Sequence, residues 1–230
     1  IEANARLQVE HTVTEAVTGI DLVRTQLRLA DGATLEALGL VDPPQARGRA
    51  VQLRVNMETM QEDGSTRPAG GTLQRFQPPT GAGVRVDTLG YAGYTTSGAF
   101  DSLLAKVIVH EPEQDLGALL RRADRALAAF QIDGVATNLP FLRALVSHPD
   151  VRDDAVYTRF VEDHVGELVR AMPAAADALP GGESAAAATA PTLDMPPGIE
   201  PVTAPMQGTI VSIGVSPGDV VHAGQEVAIM

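Results

Sequence analysis

The sequence predicts an α+β fold followed, after a loose tract, by the beginning of a small all-β unit. Three observations carry that reading. Residues 1–10 and 50–56 alternate apolar and polar side chains strictly, as strands with one buried face do. Later segments repeat apolar residues at helical spacing without a regular strand–helix–strand rhythm. An Ala/Pro/Gly-dominated stretch then separates this region from Val/Ile-rich residues 209–230.

In chain order, residues 1–10 (IEANARLQVE) set Ile1, Ala3, Ala5, Leu7 and Val9 on one face and Glu2, Asn4, Arg6, Gln8 and Glu10 on the other. A helix is expected at 19–30, capped by Thr18, with Asp21 at the capping-box position, Gly32 beyond its end and Ile20, Val23 and Leu27 as its buried stripe. Strand 50–56 turns Val51, Leu53 and Val55 one way and Gln52, Arg54 and Asn56 the other. Short strands follow at 72–76 and 84–87, separated by Pro78-Pro79 and by a turn at 81–83. Residues 105–110 read as a buried strand and 114–130 as a helix with Leu116, Leu119, Leu120, Ala123 and Leu127 in register. Two further helices are expected at 138–146 and 158–169. From 172 to about 201 no apolar period survives, and the composition is that of a disordered linker. Strands at 209–215 and 220–230, broken by Pro217-Gly218 and Ala223-Gly224, then open a β unit of which about 30 residues are present.

Composition narrows the function. The 230 residues are 44% hydrophobic, enough for a sizeable core. There is no cysteine, which removes disulfides and thiolate metal sites. A net charge of −12 repels phosphate backbones and anionic lipid, so neither nucleic acid nor membrane is expected as a partner. No apolar run approaches the ~20 residues a spanning helix requires, and no signal peptide is visible. The chain starts at Ile1, inside a patterned segment, and stops within another, so both ends are expected to be cut inside motifs.

The polar face of the first segment is the constellation with chemistry in it. Glu2 and Asn4 offer hard oxygen donors two residues apart, suited to Mg²⁺ or Mn²⁺ on nucleotide phosphates. Arg6 offers a planar fork for a small carboxylate-like anion. Glu10 can act as a general base, and Arg54 on another strand can supply a second positive group against developing negative charge. A solvated strand face would show the same row of residue types. His11 beside Glu10 reads as structural, and the other histidines have no metal-ligand spacing. Asp101, Ser102 and Lys106 read as capping and ion-pair residues around a buried strand. No G-x-S-x-G, Walker A loop or G-x-G-x-x-G occurs.

The run IEANARLQVEH with TVTEAVTGIDLV resembles the signature of biotin carboxylases, E-x-N-x-R-x-Q-V-E-H followed by V-T-E…T-G-x-D-L. The likeness continues through RGRAVQLRVN, GYAGYTTSGAFDSLLAKVIV and IDGVATNLPFLRALVSHPDV, covering about residues 1–169. Ala3 and Ala5 stand where the family has Met and Thr, and Leu53-Arg54-Val55-Asn56-Met57-Glu58 where it has C-R-I-N-A-E; the arginine is kept. APMQGTIVSIGVSPGDVVHAGQEVAIM resembles the opening half of a biotinyl carrier domain, which in that family leads on to the hairpin bearing the biotinylated lysine.

The resemblance implies four parts: residues 1–32 as the end of an ATP-grasp domain, 33–170 as the biotin carboxylase C-terminal domain, 171–201 as linker, and 202–230 as the start of a biotinyl/lipoyl-like carrier domain. It implies that ATP and bicarbonate form carboxyphosphate, whose CO₂ is passed to biotin for transfer to an acyl-CoA, as in fatty acid biosynthesis. Glu2 and Asn4 would hold the metal, and Arg6 would position bicarbonate with Gln8 and the Val9 backbone nearby. Glu10 would deprotonate bicarbonate, and Arg54 would stabilise the biotin oxygen. The implied cofactors are biotin and Mg²⁺ or Mn²⁺, with ATP as substrate. The implied partners are a carboxyltransferase, a biotinyl carrier and a second copy in a homodimer, and the implied location is cytoplasmic. Taken alone the chain is expected to be inactive. The alternatives are a pyruvate carboxylase fragment, a non-catalytic dimerisation or carrier module, or another ATP-grasp ligase such as a carbamoyl-phosphate synthetase.

Overall fold

The computed structural model describes residues 3–96, 101–173, 212–222, 225 and 227–229. Helices α1 (His11–Thr18), α2 (Leu22–Ala30) and α3 (Leu35–Leu38) lead into strands β1 (Arg49–Asn56), β2 (Glu58–Met60), β3 (Thr66–Pro68), β4 (Arg75–Gln77), β5 (Val84–Thr88) and β6 (Leu103–Glu111). Helix α4 (Leu116–Ala129), strand β7 (Gln131–Asp133) and helices α5 (Leu139–Ser147), α6 (Pro149–Arg152) and α7 (Phe160–Arg170) follow; β8 (Ser212–Ile213) and β9 (Ala228–Ile229) form a separate antiparallel pair. Helices and strands mix as the α+β reading expects.

The centre is a three-stranded antiparallel sheet in the order β1-β6-β5. Alternation divides its side chains cleanly. Leu53 and Val55 of β1, Ala105, Val107 and Val109 of β6 and the partly buried Val84 and Val86 of β5 share one face. Helices α4 and α5 cover it with Leu119, Leu120, Ala123, Leu127, Leu142 and Val146. The opposite face carries Gln52 and Arg54, Lys106 and Ile108, Arg85 and Asp87, set side by side by the pairings Arg54–Lys106–Asp87 and Gln52–Ile108–Arg85. Helix α1 packs on that face against β1 and β6.

Local signals explain the elements read correctly. Asp115 caps α4 by accepting from the Ala118 N–H at 2.8 Å. Gly83 takes a positive φ of 73° where the chain turns into β5, and a Cβ there would collide with the His110 carbonyl, so only glycine fits the turn.

Three expectations are corrected. Residues 3–10 form bends and a turn, not a strand. Alternation supplies two faces, but a strand also needs a neighbour to take up its N–H and C=O groups, and among the described residues none pairs with this segment. The helix expected at 19–30 starts at Leu22, and its cap is Asp21, which accepts from the Arg24 N–H at 2.8 Å; Thr18 instead ends α1, its hydroxyl donating to the Thr14 carbonyl at 2.6 Å. The stripe given to that helix is not buried: Val23 is 42% and Leu27 66% exposed, and no element of the described chain makes more than slight contact with it. The proposed linker 171–201 falls almost wholly outside the described residues.

Candidate functional site around Glu10 and Arg54

The site is assembled where the segment before α1 lies across the polar face of the sheet. The Gln8 carbonyl accepts from the backbone N–H of His11 at 3.2 Å and meets its ring Nδ1 at 2.7 Å, which closes the chain into a turn at residues 9–10. The Glu10 carbonyl accepts the Val13 N–H at 3.1 Å, so helix α1 begins immediately after that turn. Glu10 makes no side-chain cap of its own helix. Its carboxylate accepts instead from Arg54 Nη2 at 2.9 Å, both side chains being about half exposed at 50% and 49%.

Four contacts seat this turn and helix on the sheet. Glu10 meets Arg54 of β1, and the Thr12 hydroxyl donates to the Gln52 side chain. The Lys106 ammonium of β6 donates to the Val9 carbonyl at 3.4 Å and lies 3.3 Å from Asp87. Glu15 accepts from Arg85 of β5 at 2.8 Å and from the Leu22 N–H at 2.9 Å, tying α1 both to the sheet and to the start of α2. Arg85 also holds Asp87 in a two-pronged pair at 2.7 and 3.0 Å. These bonds, first to Asp87 and then to Glu15, raise the Arg85 guanidinium above its ordinary value. For Asp87, burial pushes the carboxyl up, but hydrogen bonds and charge from Arg85 and Lys106 outweigh it and hold it below the usual carboxylate range.

Arg54 is aimed from behind by a residue the sequence reading did not single out. The β1–β6 register slips between Val55, opposite Ala105, and Asn56, opposite Leu103. Asn138 sits against this irregularity, only 8% exposed: its Nδ2 donates to the Arg54 carbonyl at 3.1 Å and its Oδ1 accepts from the Asn56 N–H at 2.9 Å. The signal for it is the ATNLP run, an asparagine directly before a helix that opens Leu-Pro.

The structure therefore gathers Gln8, Val9, Glu10 and Arg54. Arg6 lies on an exposed bend, its Nη1 donating to its neighbour's carbonyl, Leu7, at 3.4 Å. Asn4 is half-buried in the preceding segment, and Glu2 lies outside the described residues. No group of three or more His, Asp or Glu side chains able to hold a metal occurs among the described residues. His11 serves the turn, as expected.

Comparison with known proteins agrees with the architecture. Residues 52–163 match the biotin carboxylase C-terminal domain family, and residues 1–38 match the carbamoyl-phosphate synthase L chain, ATP binding domain. The chain is 34% identical to a biotin-dependent acyl-coenzyme A carboxylase alpha3 subunit of Mycobacterium leprae, over all of this chain and 45% of that protein. It is 42% identical to pyruvate carboxylase of Aspergillus niger over 71% of this chain and 14% of that protein. Among solved structures, the biotin carboxylase domain of a single-chain bacterial carboxylase superposes with a TM-score of 0.68 at 51% identity, covering 75% of this chain and 39% of that one. The chain thus spans less than half the length of each of these proteins. With family matches at residues 1–38 and 52–163, a relative aligned over the whole chain and a shared fold, the chain belongs to the biotin-dependent carboxylases, as the C-terminal part of a biotin carboxylase domain.

Proposed function

We propose that the full-length protein carrying this chain is a ligase that uses ATP and bicarbonate to carboxylate biotin held on a carrier domain, for transfer to an acyl-CoA. The observation that carries the proposal is the Glu10–Arg54 pair at 2.9 Å, half open to solvent on a turn pinned at several points to a rigid sheet. A carboxylate facing a guanidinium supplies a proton acceptor and a cation within one small volume. Glu10 takes the proton of bicarbonate as the bicarbonate oxygen attacks the γ-phosphorus of ATP and ADP leaves, giving carboxyphosphate, and Arg6, with Gln8 and the Val9 backbone, holds the anion. Carboxyphosphate then splits into CO₂ and phosphate; the phosphate takes the ureido N–H proton of biotin, Arg54 neutralises the negative charge that develops on the ureido oxygen, and the nitrogen bonds the CO₂ carbon. In the absence of these ligands the two partners satisfy each other.

Glu2 and Asn4 are assigned to Mg²⁺ or Mn²⁺ on the residue types alone. Of the two only Asn4 lies among the described residues, and one carboxamide is too few donors for either ion, so neither ion takes a step in the reaction above. Biotin reaches the site from elsewhere: Lys106 is the only lysine in the sequence and it lies within the sheet, so the carrier lysine is not among these 230 residues. Residues 202–230 are assigned to the start of that carrier. An acyl-CoA acceptor is favoured over pyruvate because the acyl-CoA carboxylase relative aligns with the whole chain, the pyruvate carboxylase with 71% of it. A carboxyltransferase and a second copy of the chain are the assigned partners, the cytoplasm the assigned location.

The test is bicarbonate-dependent ATP cleavage by the full-length protein with free biotin. Arg54→Ala is expected to lower kcat by about 10²–10³-fold, the cost of removing one preorganised positive donor. Arg6→Ala should raise KM for bicarbonate as well. An unchanged rate in both variants would refute the assignment.

A further inference from the structure

The polar face of the sheet contains two cations that the proposed reaction does not use, Arg85 and Lys106, and Lys106 is the one beside Arg54. Lys106 lies directly opposite Arg54 in the β1–β6 ladder, which sets their side chains on the same face about 5 Å apart at Cβ. Two like charges placed so are unfavourable unless each has its own partner. Each does: Arg54 leans to Glu10 at 2.9 Å, and Lys106 to Asp87 at 3.3 Å. The row across the sheet therefore runs carboxylate, guanidinium, ammonium, carboxylate.

Lys106 shares Asp87 with Arg85, and its ammonium makes a second contact, to the Val9 carbonyl at 3.4 Å. That carbonyl belongs to the peptide unit joining Val9 to Glu10, so the bond acts on the turn that sets the direction of the Glu10 side chain. The side chain of Lys106 is only 14% exposed, so its stem is fixed by the sheet, while the bond to Val9 lies at the solvent edge. Residue choice supports the reading. Every other basic side chain in the 230 residues is arginine or histidine. A compact ammonium with three freely directed donors can serve a carboxylate on one side and a carbonyl on the other, where a flat guanidinium fork would need both acceptors in its plane.

We propose that Lys106 is a positioning residue for the reaction: anchored by Asp87, it holds the Val9–Glu10 peptide so that Glu10 stays aimed at the space shared with Arg54. This rests on the role assigned to Glu10 above. Lys106 touches no reactant and acts through the turn.

The test uses the full-length protein, with bicarbonate-dependent ATP cleavage as readout and the Glu10→Gln background as the discriminating arm. Lys106→Met is expected to lower kcat/KM for bicarbonate about 10–100-fold, the scale of a misplacement of roughly 1 Å at a reacting group. KM for ATP should stay within about twofold, because the Val9–Glu10 peptide acts on bicarbonate and not on the nucleotide. Lys106→Arg, whose flat fork cannot serve the carbonyl and Asp87 together, should recover only part of the loss. In the Glu10→Gln background, adding Lys106→Met should cost less than about threefold, since residues acting through one group are not additive. A Lys106→Met enzyme within threefold of wild type overturns the proposal, as does a full additional loss on top of Glu10→Gln, or a loss that falls on KM for ATP. Full activity in Glu10→Gln alone overturns the role of Glu10 itself, and it is read without any Lys106 variant.

Discussion

The two faces of the β1-β6-β5 sheet are built from alternate residues of the same three strands, and they solve different problems. The face under α4 and α5 is held by volume: Val55, Val107 and Val109 are fully buried and meet Leu119, Ala123 and Leu127 with no polar group to satisfy. Such packing is non-directional, so it sets stability while aiming nothing. The face under α1 is held by pairing: Arg54 with Glu10, Gln52 with Thr12, Lys106 with Val9 and Asp87, Arg85 with Glu15 and Asp87. Partly exposed ion pairs add little stability each, but every one has a direction. The difference teaches that this sheet is a rigid base on one side and an aiming surface on the other.

The largest change in stability is therefore expected from the apolar face. Leu127, 2% exposed in the last turn of α4, should cost about 2–5 kcal/mol when cut to alanine, read as the urea midpoint of the 230-residue chain. In the full-length protein the rate per folded molecule should hold, because nothing on the α1 side has moved. Loss of rate in the molecules that remain folded would break the division between the two faces.

Asn138 sharpens the comparison, because it belongs to neither face and serves the strand between them. Asn138→Ala removes a donor from the Arg54 carbonyl and an acceptor from the Asn56 N–H. Leaving those backbone groups unpaired should cost about 1–3 kcal/mol. Unlike Leu127→Ala it should also lower ATP cleavage in the full-length protein, since the backbone that aims Arg54 is released. A purely thermal effect, with the rate per folded molecule intact, would place Asn138 with the apolar base.

The same contrast explains what the sequence could and could not show. Strands β1 and β5 and helices α4, α5 and α7 were legible because each writes a period of 2 or 3.6 into its own residues, and β6 because its run is nearly all apolar. Helix α1 was not: HTVTEAVT is rich in β-branched residues, and it is helical because its buried Thr12 and its Glu15 are taken up by the sheet, contacts no local window contains. Residues 3–10 failed in the opposite sense. Their alternation is real, but a strand partner is a non-local fact. In the site, the residue types of Glu10 and Arg54 were readable, and the likeness to a family singled them out as candidates. Their meeting across 44 residues was not readable, nor were Lys106 and Asn138, whose roles follow from register and from a ladder irregularity.

The smallest effect belongs to the polar face and depends on pH. Asp87→Asn removes the carboxylate shared by Arg85 and Lys106, and should cost about 0.5–1 kcal/mol near neutrality, the ordinary worth of a partly exposed pair. The sign with pH follows from the depressed carboxyl. In the folded chain Asp87 keeps its charge to lower pH than in the unfolded chain, where it titrates near 3.9. Its contribution is thus fully present above about pH 4 and is lost as the pH falls through the lower folded value. The gap in urea midpoint between wild type and Asp87→Asn should be constant from pH 7 to pH 5 and narrow towards pH 3. A gap that persists at pH 3 would mean that shape, not charge, is what the polar face takes from Asp87, and the distinction between packing and pairing would fail at the residue that anchors Lys106.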